Sequence, residues 1–210
     1  MLVIASLAVL IVGYLIGCIL GSNIIYILTG VNLKETGSKN AGATNAVITL
    51  GWMFGIFVAL IDICKAIFAL LFVQISLSLY PFSAEEIVVL LYVTGAAVII
   101  GHNFPIHMKF NGGKGTASLI GVLLSLNWKV GLFAIFSFFI ISFISNYLIV
   151  GVINLYVVLG MLAAMENTII PLIISIILLC IAIVLHMENF KRIRYGLEPQ
   201  MSLLYEKRKA

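Results

Sequence analysis

Apolar and polar positions along this chain fall in long blocks and do not alternate. Uninterrupted apolar runs occupy roughly 3–28, 52–74, 87–106, 116–127, 130–148, 150–165 and 168–186. Continuous runs without a period of two predict helices and argue against the strands of a barrel. A full crossing needs about 20 apolar residues, so the fourth and sixth runs are short and are expected to tilt or to pack inside a bundle. The pattern predicts an all-α polytopic membrane protein of about seven transmembrane helices. With 210 residues there is no room for a separate soluble domain, so one integral-membrane domain over 1–210 is expected.

Composition agrees with the pattern. The chain is 63% hydrophobic and only 10% charged, with a mean hydropathy of +1.22. Soluble domains carry roughly a quarter charged residues, so this chain has too few to cover a globular surface. The opening MLVIASLAVLIVGYLIGCIL has no basic stretch before its apolar run, and that run is too long for a signal peptide; it reads as a retained first span. Cys18, Cys64 and Cys180 all lie in apolar runs without a CxxC, as reduced packing residues do. No metal-ligand spacing is present, and neither a metal, a cofactor nor a nucleic-acid partner is expected.

Charge gives the orientation. Lys34 and Lys39 fall between the first two runs, Lys109 and Lys114 between the third and fourth, and Lys191, Arg192, Arg194, Lys207, Arg208 and Lys209 after the last. With seven spans these share one side, while the opposite side holds Lys129, Glu85, Glu86 and Glu166. The positive-inside rule then puts the C-terminus in the cytoplasm and the N-terminus outside.

Several polar stretches interrupt the apolar background. Residues 36–46, TGSKNAGATNA, are too polar to face lipid, and Ser38, Asn40, Thr44 and Asn45 carry groups suited to binding oxygen atoms. In LIDICKAIF, Asp62 and Lys65 lie three apart on one helix face, either as a buried ion pair that orients the helix or as a pair facing a polar cavity. In GHNFPIHMKFNGGKGTAS (101–118), Pro105 is expected to end or kink the third span, with His102 and His107 flanking it. Gly112, Gly113 and Gly115 allow a tight loop, and Thr116 opens the fourth span. A glycine loop feeding a helix N-terminus, with Lys114 adding a full charge, is a candidate phosphate site. It is not a Walker A loop: Gly115 follows the lysine where Ser or Thr is needed, and Met108 stands where the first glycine would be. In HMENFKRIRYGLEP (186–199), His186 ends the last span with Asn189 three residues on; Lys191, Arg192 and Arg194 read as an interfacial anchor, and Gly196 and Pro199 mark a helix end beside Glu198.

Taken together, GSKNAGATN, GHNFPIHMKFNGGKGTAS and HMENFKRIRYGLEP resemble the three cytoplasmic motifs, in order, of the bacterial acyl-phosphate:glycerol-3-phosphate acyltransferases (the PlsY type). YLIGCI near residue 14 and DICK at 62–65 are also similar to that family's first two spans. The resemblance implies transfer of a fatty acyl group from acyl phosphate to the sn-1 hydroxyl of glycerol 3-phosphate, giving lysophosphatidic acid, by a monomer in the cell membrane of a bacterium with its active site on the cytoplasmic face. It implies catalytic roles for Lys114, His186, Asn189 and Glu198. Substrate contacts are expected from Ser38, Asn40, Thr44, Asn45, Lys65, His102, Gly112, Gly113, Gly115 and Thr116, with backbone N–H groups of the three glycines on phosphate oxygens. An acyl phosphate is a mixed anhydride and already activated, so charge neutralisation, positioning and oxyanion stabilisation suffice without a covalent nucleophile.

The chain departs from the family pattern at two positions where that family carries arginine, here Ile48 and Asn146. A paralogue with another acceptor is therefore an alternative, as is a small transporter for an anionic solute with Asp62 and Lys65 at its midplane. The HxxxxD mechanism of the other glycerophosphate acyltransferases is excluded, because Asp62 is the only aspartate and follows no histidine at that spacing.

Overall fold

The computed structural model describes residues 1–202, and these are helical and turn structure with no strand among them. The basic residues Lys207, Arg208 and Lys209 lie outside the described residues. The chain divides into two compact units, Met1–Asn127 and one beginning at Trp128.

The first unit holds α1 (Leu2–Gly17), α2 (Gly21–Thr29), α3 (Ala43–Leu50), α4 (Trp52–Leu77), α5 (Ala84–Asn103) and α6 (Thr116–Leu126), with a 3-10 turn at Ile106–Met108. The second holds α7 (Trp128–Ser145), α8 (Leu148–Ala163), α9 (Ile170–Leu185) and α10 (Met187–Arg194). Each predicted apolar run contains a helix. Four stretches are long and apolar enough to cross a bilayer, Leu2–Thr29, Trp52–Leu77, Ala84–Met108 and Trp128–Ser145. The pair α9–α10, bent by 50°, makes a fifth if it counts as one span. Thr116–Leu126 and Leu148–Ala163 are apolar but shorter, as their run lengths predicted.

Local chemistry explains the boundaries. The α5 N-terminus carries a full capping box: Ser83 Oγ accepts from Glu86 N at 3.2 Å and Glu86 Oε2 accepts from Ser83 N at 2.8 Å. Its other end stops before Pro105, which has no N–H to donate. The Tyr14 hydroxyl, from α1, donates to the freed Phe104 carbonyl at 2.8 Å. That bond needs α1 and α5 close together, and small residues allow it: a Cβ at Gly17 would strike the Val98 backbone, and one at Gly101 the Tyr14 carbonyl.

The first predicted run is broken. Residues 18–20 leave the helix between α1 and α2, for a reason in another segment: Lys65 of α4 takes the Gly17 carbonyl at 2.9 Å and the Ile19 carbonyl at 2.7 Å. The polar stretch 36–46 is only partly loop, since α3 begins at Ala43 behind Gly42. In the second unit α7 and α8 cross with a polar tie, Asn154 Nδ2 donating to Ser137 Oγ at 2.8 Å.

Gly17→Leu is expected to destabilise the fold by about 1–3 kcal/mol through overpacking. Gly160→Leu, where nothing lies within 4 Å of the added Cβ, is expected to be neutral. Thermal unfolding of the two variants in the same detergent checks the contrast.

Candidate active site

The first motif is organised by a residue expected to touch substrate. Asn45 is fully buried, and its Nδ2 donates to the carbonyls of Leu33 at 2.7 Å, Asn40 at 2.9 Å and Thr36 at 3.0 Å. Its Oδ1 accepts from Ser38 N at 2.7 Å and from Thr49 Oγ1 at 3.4 Å. The amide therefore folds the loop from within. Ser38 and Thr44 are exposed on it and Asn40 is half-buried, so these keep side chains available for a ligand. Ile48 is also exposed, 42% accessible, on α3.

The glycine loop differs from its expectation in the same way. Gly112 N donates to the Asn103 carbonyl at 3.0 Å and Gly113 N to the His102 carbonyl at 3.1 Å. The last carbonyls of α5 need donors, and these two amides supply them. The expected phosphate contacts from Gly112 and Gly113 amides are therefore corrected: both N–H groups are spent on capping α5. Neither glycine has room for a side chain, since a Cβ would strike Pro105 and the His102 carbonyl, or the His102 ring. Gly115, at φ 77°, turns the chain into α6 as its N-cap, and having no side chain it offers the helix no cap. The first N–H groups of a helix have no intrahelical acceptor, so the donors facing outward here belong to the α6 first turn, beginning at Thr116, with half-buried Lys114 immediately before it. Asn103 lies beside this turn, buried, with neither amide atom hydrogen-bonded among the described residues. A Cβ on Gly115 would come within 2.8 Å of its Oδ1.

Beneath the loop is a buried ionic cluster. Lys65 Nζ sits 2.9 Å from Asp62 Oδ1 and 2.9 Å from His102 Nδ1, besides the Gly17 and Ile19 carbonyls. Asp62 Oδ1 accepts from Gly21 N at 3.3 Å and lies 3.4 Å from His102 Nδ1. All three residues are at most 6% exposed. Lys65 and His102, expected to touch substrate, are turned inward: the ammonium is surrounded by protein acceptors, and the imidazole packs on Gly113. Of the two readings of Asp62 and Lys65, the buried pair is the one observed.

The third motif forms a chain of contacts within the second unit. Glu198 Oε1 accepts from Asn189 Nδ2 at 2.6 Å, and Glu198 Oε2 lies 3.2 Å from Arg192 Nε. His186 Nδ1 is 3.3 Å from Asn189 Oδ1. A carboxylate only accepts, so the Asn189 amide nitrogen must face Glu198 and its oxygen must face His186. Nδ1 then carries the imidazole proton and Nε2 the lone pair. Backbone turns bring the partners together. The bend between α9 and α10 falls at His186, and Gly196, at φ 68°, reverses the chain after α10, with Leu197 N donating to the Arg192 carbonyl at 2.8 Å. Asn146, at φ 62°, holds the segment that follows, accepting from Ser202 N at 3.0 Å and donating to Ser202 Oγ at 3.1 Å.

Two roles were missed in the sequence. Arg192, expected only as an interfacial anchor, is a partner of Glu198; the glycine two residues before the glutamate was the available signal. Lys34, read only for its charge, ties two motifs together through Asn111 Oδ1 at 2.7 Å and the Gly112 carbonyl at 3.3 Å.

The family model described as glycerol-3-phosphate acyltransferase matches residues 7–196. The chain belongs to the glycerol-3-phosphate acyltransferase family. It is 42% identical over 206 residues to glycerol-3-phosphate acyltransferase 1 of Oceanobacillus iheyensis, covering 98% of both chains. It is 36% identical to glycerol-3-phosphate acyltransferase 2 of Thermotoga maritima, over 92% of this chain and 95% of that one. The fold is similar to the crystal structure of PlsY, an integral membrane glycerol 3-phosphate acyltransferase, in its glycerol 3-phosphate form, with a TM-score of 0.80, 27% identity and coverage of 93% and 95%. The lysophosphatidic acid form of PlsY gives 0.78 at 28% identity, over 93% of this chain and 94% of that one. This acyltransferase family match spans both compact units.

Removing one partner of the ionic cluster leaves the other charge buried and unpaired. Lys65→Met is expected to cost about 3–5 kcal/mol, and the double variant Asp62→Asn/Lys65→Met to cost less than Lys65→Met alone. Unfolding midpoints of the three proteins in one detergent test the order.

Proposed function

We propose that this chain acylates the sn-1 hydroxyl of glycerol 3-phosphate with a fatty acyl group from acyl phosphate, releasing inorganic phosphate and lysophosphatidic acid. The observation that carries the reading is the glycine–lysine turn at the start of α6, in a chain that matches the glycerol-3-phosphate acyltransferase family over 7–196. The same reading counts seven crossings by adding the two shorter apolar helices to the five stretches above. It places the N-terminus outside and Lys34, Lys39, Lys109, Lys114, Lys191, Arg192 and Arg194 at the cytoplasmic face of a bacterial inner membrane. The working unit is a monomer.

In this scheme Lys114 and the first-turn N–H groups of α6 take phosphate oxygens, where a full charge and a helix N-terminus act together. Ser38, Asn40 and Thr44 add polar contacts. His186 Nε2 takes the proton of the attacking hydroxyl, while Asn189 and Glu198 keep the lone pair on that nitrogen. The hydroxyl oxygen bonds to the acyl carbon, the carbon–oxygen bond to phosphate breaks, and the proton held by His186 leaves to the phosphate or to solvent. No group beyond the two substrates is consumed. Asn45, Lys65 and His102 act by holding the loops, and Gly112 and Gly113 by letting them close.

The purified chain with palmitoyl phosphate and glycerol 3-phosphate is expected to yield lysophosphatidic acid and phosphate. Product only with a different acceptor would overturn the acceptor, and solute uptake into proteoliposomes without acyl transfer would overturn the enzyme. Lys114→Ala is expected to lower kcat by about 10²–10³-fold, and His186→Ala by about 10²–10⁴-fold. Glu198→Gln lets the Asn189 amide turn over, so it should lower kcat less than His186→Ala does. Wild-type turnover in Lys114→Ala would sink the phosphate assignment.

A further inference from the structure

A polar cleft lies in the first unit, lined by the end of α1–α2 and the segment after it. Its volume is about 130 Å³, and Ser22, Asn23, Asn32, Lys34 and Met108 are among its walls. That is room for several waters or for one tetrahedral anion. Ser22 is only 4% exposed, yet its hydroxyl has no hydrogen-bond partner among the described residues. A buried hydroxyl in that condition costs free energy that a ligand would recover.

Lys34 supplies the charge. Two of its three N–H bonds go to neutral oxygens, Asn111 Oδ1 and the Gly112 carbonyl, and no carboxylate pairs with it among the described residues. Glu35, its neighbour, is held by Asn32 Nδ2 at 2.7 Å. Burial pushes the Lys34 ammonium below the ordinary lysine range, the direction an incoming anion would reverse.

We propose that this cleft binds a phosphomonoester group, held by the Lys34 ammonium and the Ser22 hydroxyl. The site is argued apart from the acyl-transfer reading: Lys34 meets that scheme only by holding the Gly112 carbonyl of the loop before α6, and Ser22 has no part in it. The same group is presented by a soluble phosphate and by the headgroup of a lysophosphatidate. Lys34 lies just past Thr29, where the first apolar stretch ends, so both are within reach.

Amine labelling of the intact protein in nanodiscs of uncharged lipid, read residue by residue by mass spectrometry, separates this site from the other. At twice the dissociation constant, inorganic phosphate, glycerol 3-phosphate or lysophosphatidate should slow labelling of Lys34 by about threefold. Ser22→Ala, checked for an unchanged unfolding midpoint, should raise the half-protecting concentration by about tenfold. Lys114→Ala should leave Lys34 protection intact. Protection by soluble phosphate would identify a free anion as the occupant, and protection by lysophosphatidate alone a lipid headgroup; either upholds the site. Unchanged Lys34 labelling with all three, or protection that vanishes in Lys114→Ala, overturns it. Unprotected Lys114 beside protected Lys34 would count only against the acyl-phosphate reading.

Discussion

Everything in the first unit depends on one ammonium group. Placing Lys65 and Asp62 in a lipid-spanning helix costs roughly 2.5–3.5 kcal/mol per charge on insertion scales. The surrounding protein offsets that cost by giving each charge several partners at once. Lys65 needs acceptors, and the nearest segment can supply them only by opening its own helix, so the first span breaks at residues 18–20 and turns the Gly17 and Ile19 carbonyls toward it. His102 completes the cluster, and its ring packs against the glycine loop that precedes α6. A charge pair in one helix thus fixes a break in a second and a turn at the end of a third.

The helices were legible because lipid enforces a single rule, that backbone polar groups be satisfied within the segment. Long apolar runs therefore became helices at the expected places, and Pro105 ended α5. The break in the first run was not legible, since its cause lies more than forty residues away in Lys65. Nor was α3, an eight-residue helix whose sequence, ATNAVITL, is polar where the loop needs Asn45 and apolar where it meets α4.

In the polar stretches, residue types marked the segments that form the loops but not what each side chain does there. Asparagine and glycine are ambiguous in sequence: each serves a ligand or a loop equally well. Asn45 proves to be the loop's internal brace, and the amides of Gly112 and Gly113 cap α5. His186, Asn189 and Glu198 were grouped by motif alone, but the direction of their hydrogen bonds, which decides the tautomer, needed coordinates. Asn146 marks the limit of comparison by pattern. It was notable for the arginine it lacks, whereas its left-handed backbone and its grip on Ser202 are what it contributes.

The reverse turn at Gly196 also carries a consequence for biosynthesis. Glu198 follows α1 to α10 in chain order, so it leaves the ribosome after both His186 and Asn189. Until then the Asn189 amide lacks the carboxylate that takes its nitrogen and turns its oxygen to the ring. This orienting contact is therefore added late in synthesis, and an unfinished chain in the membrane would meet its lipid surroundings without the carboxylate that sets the Asn189 amide.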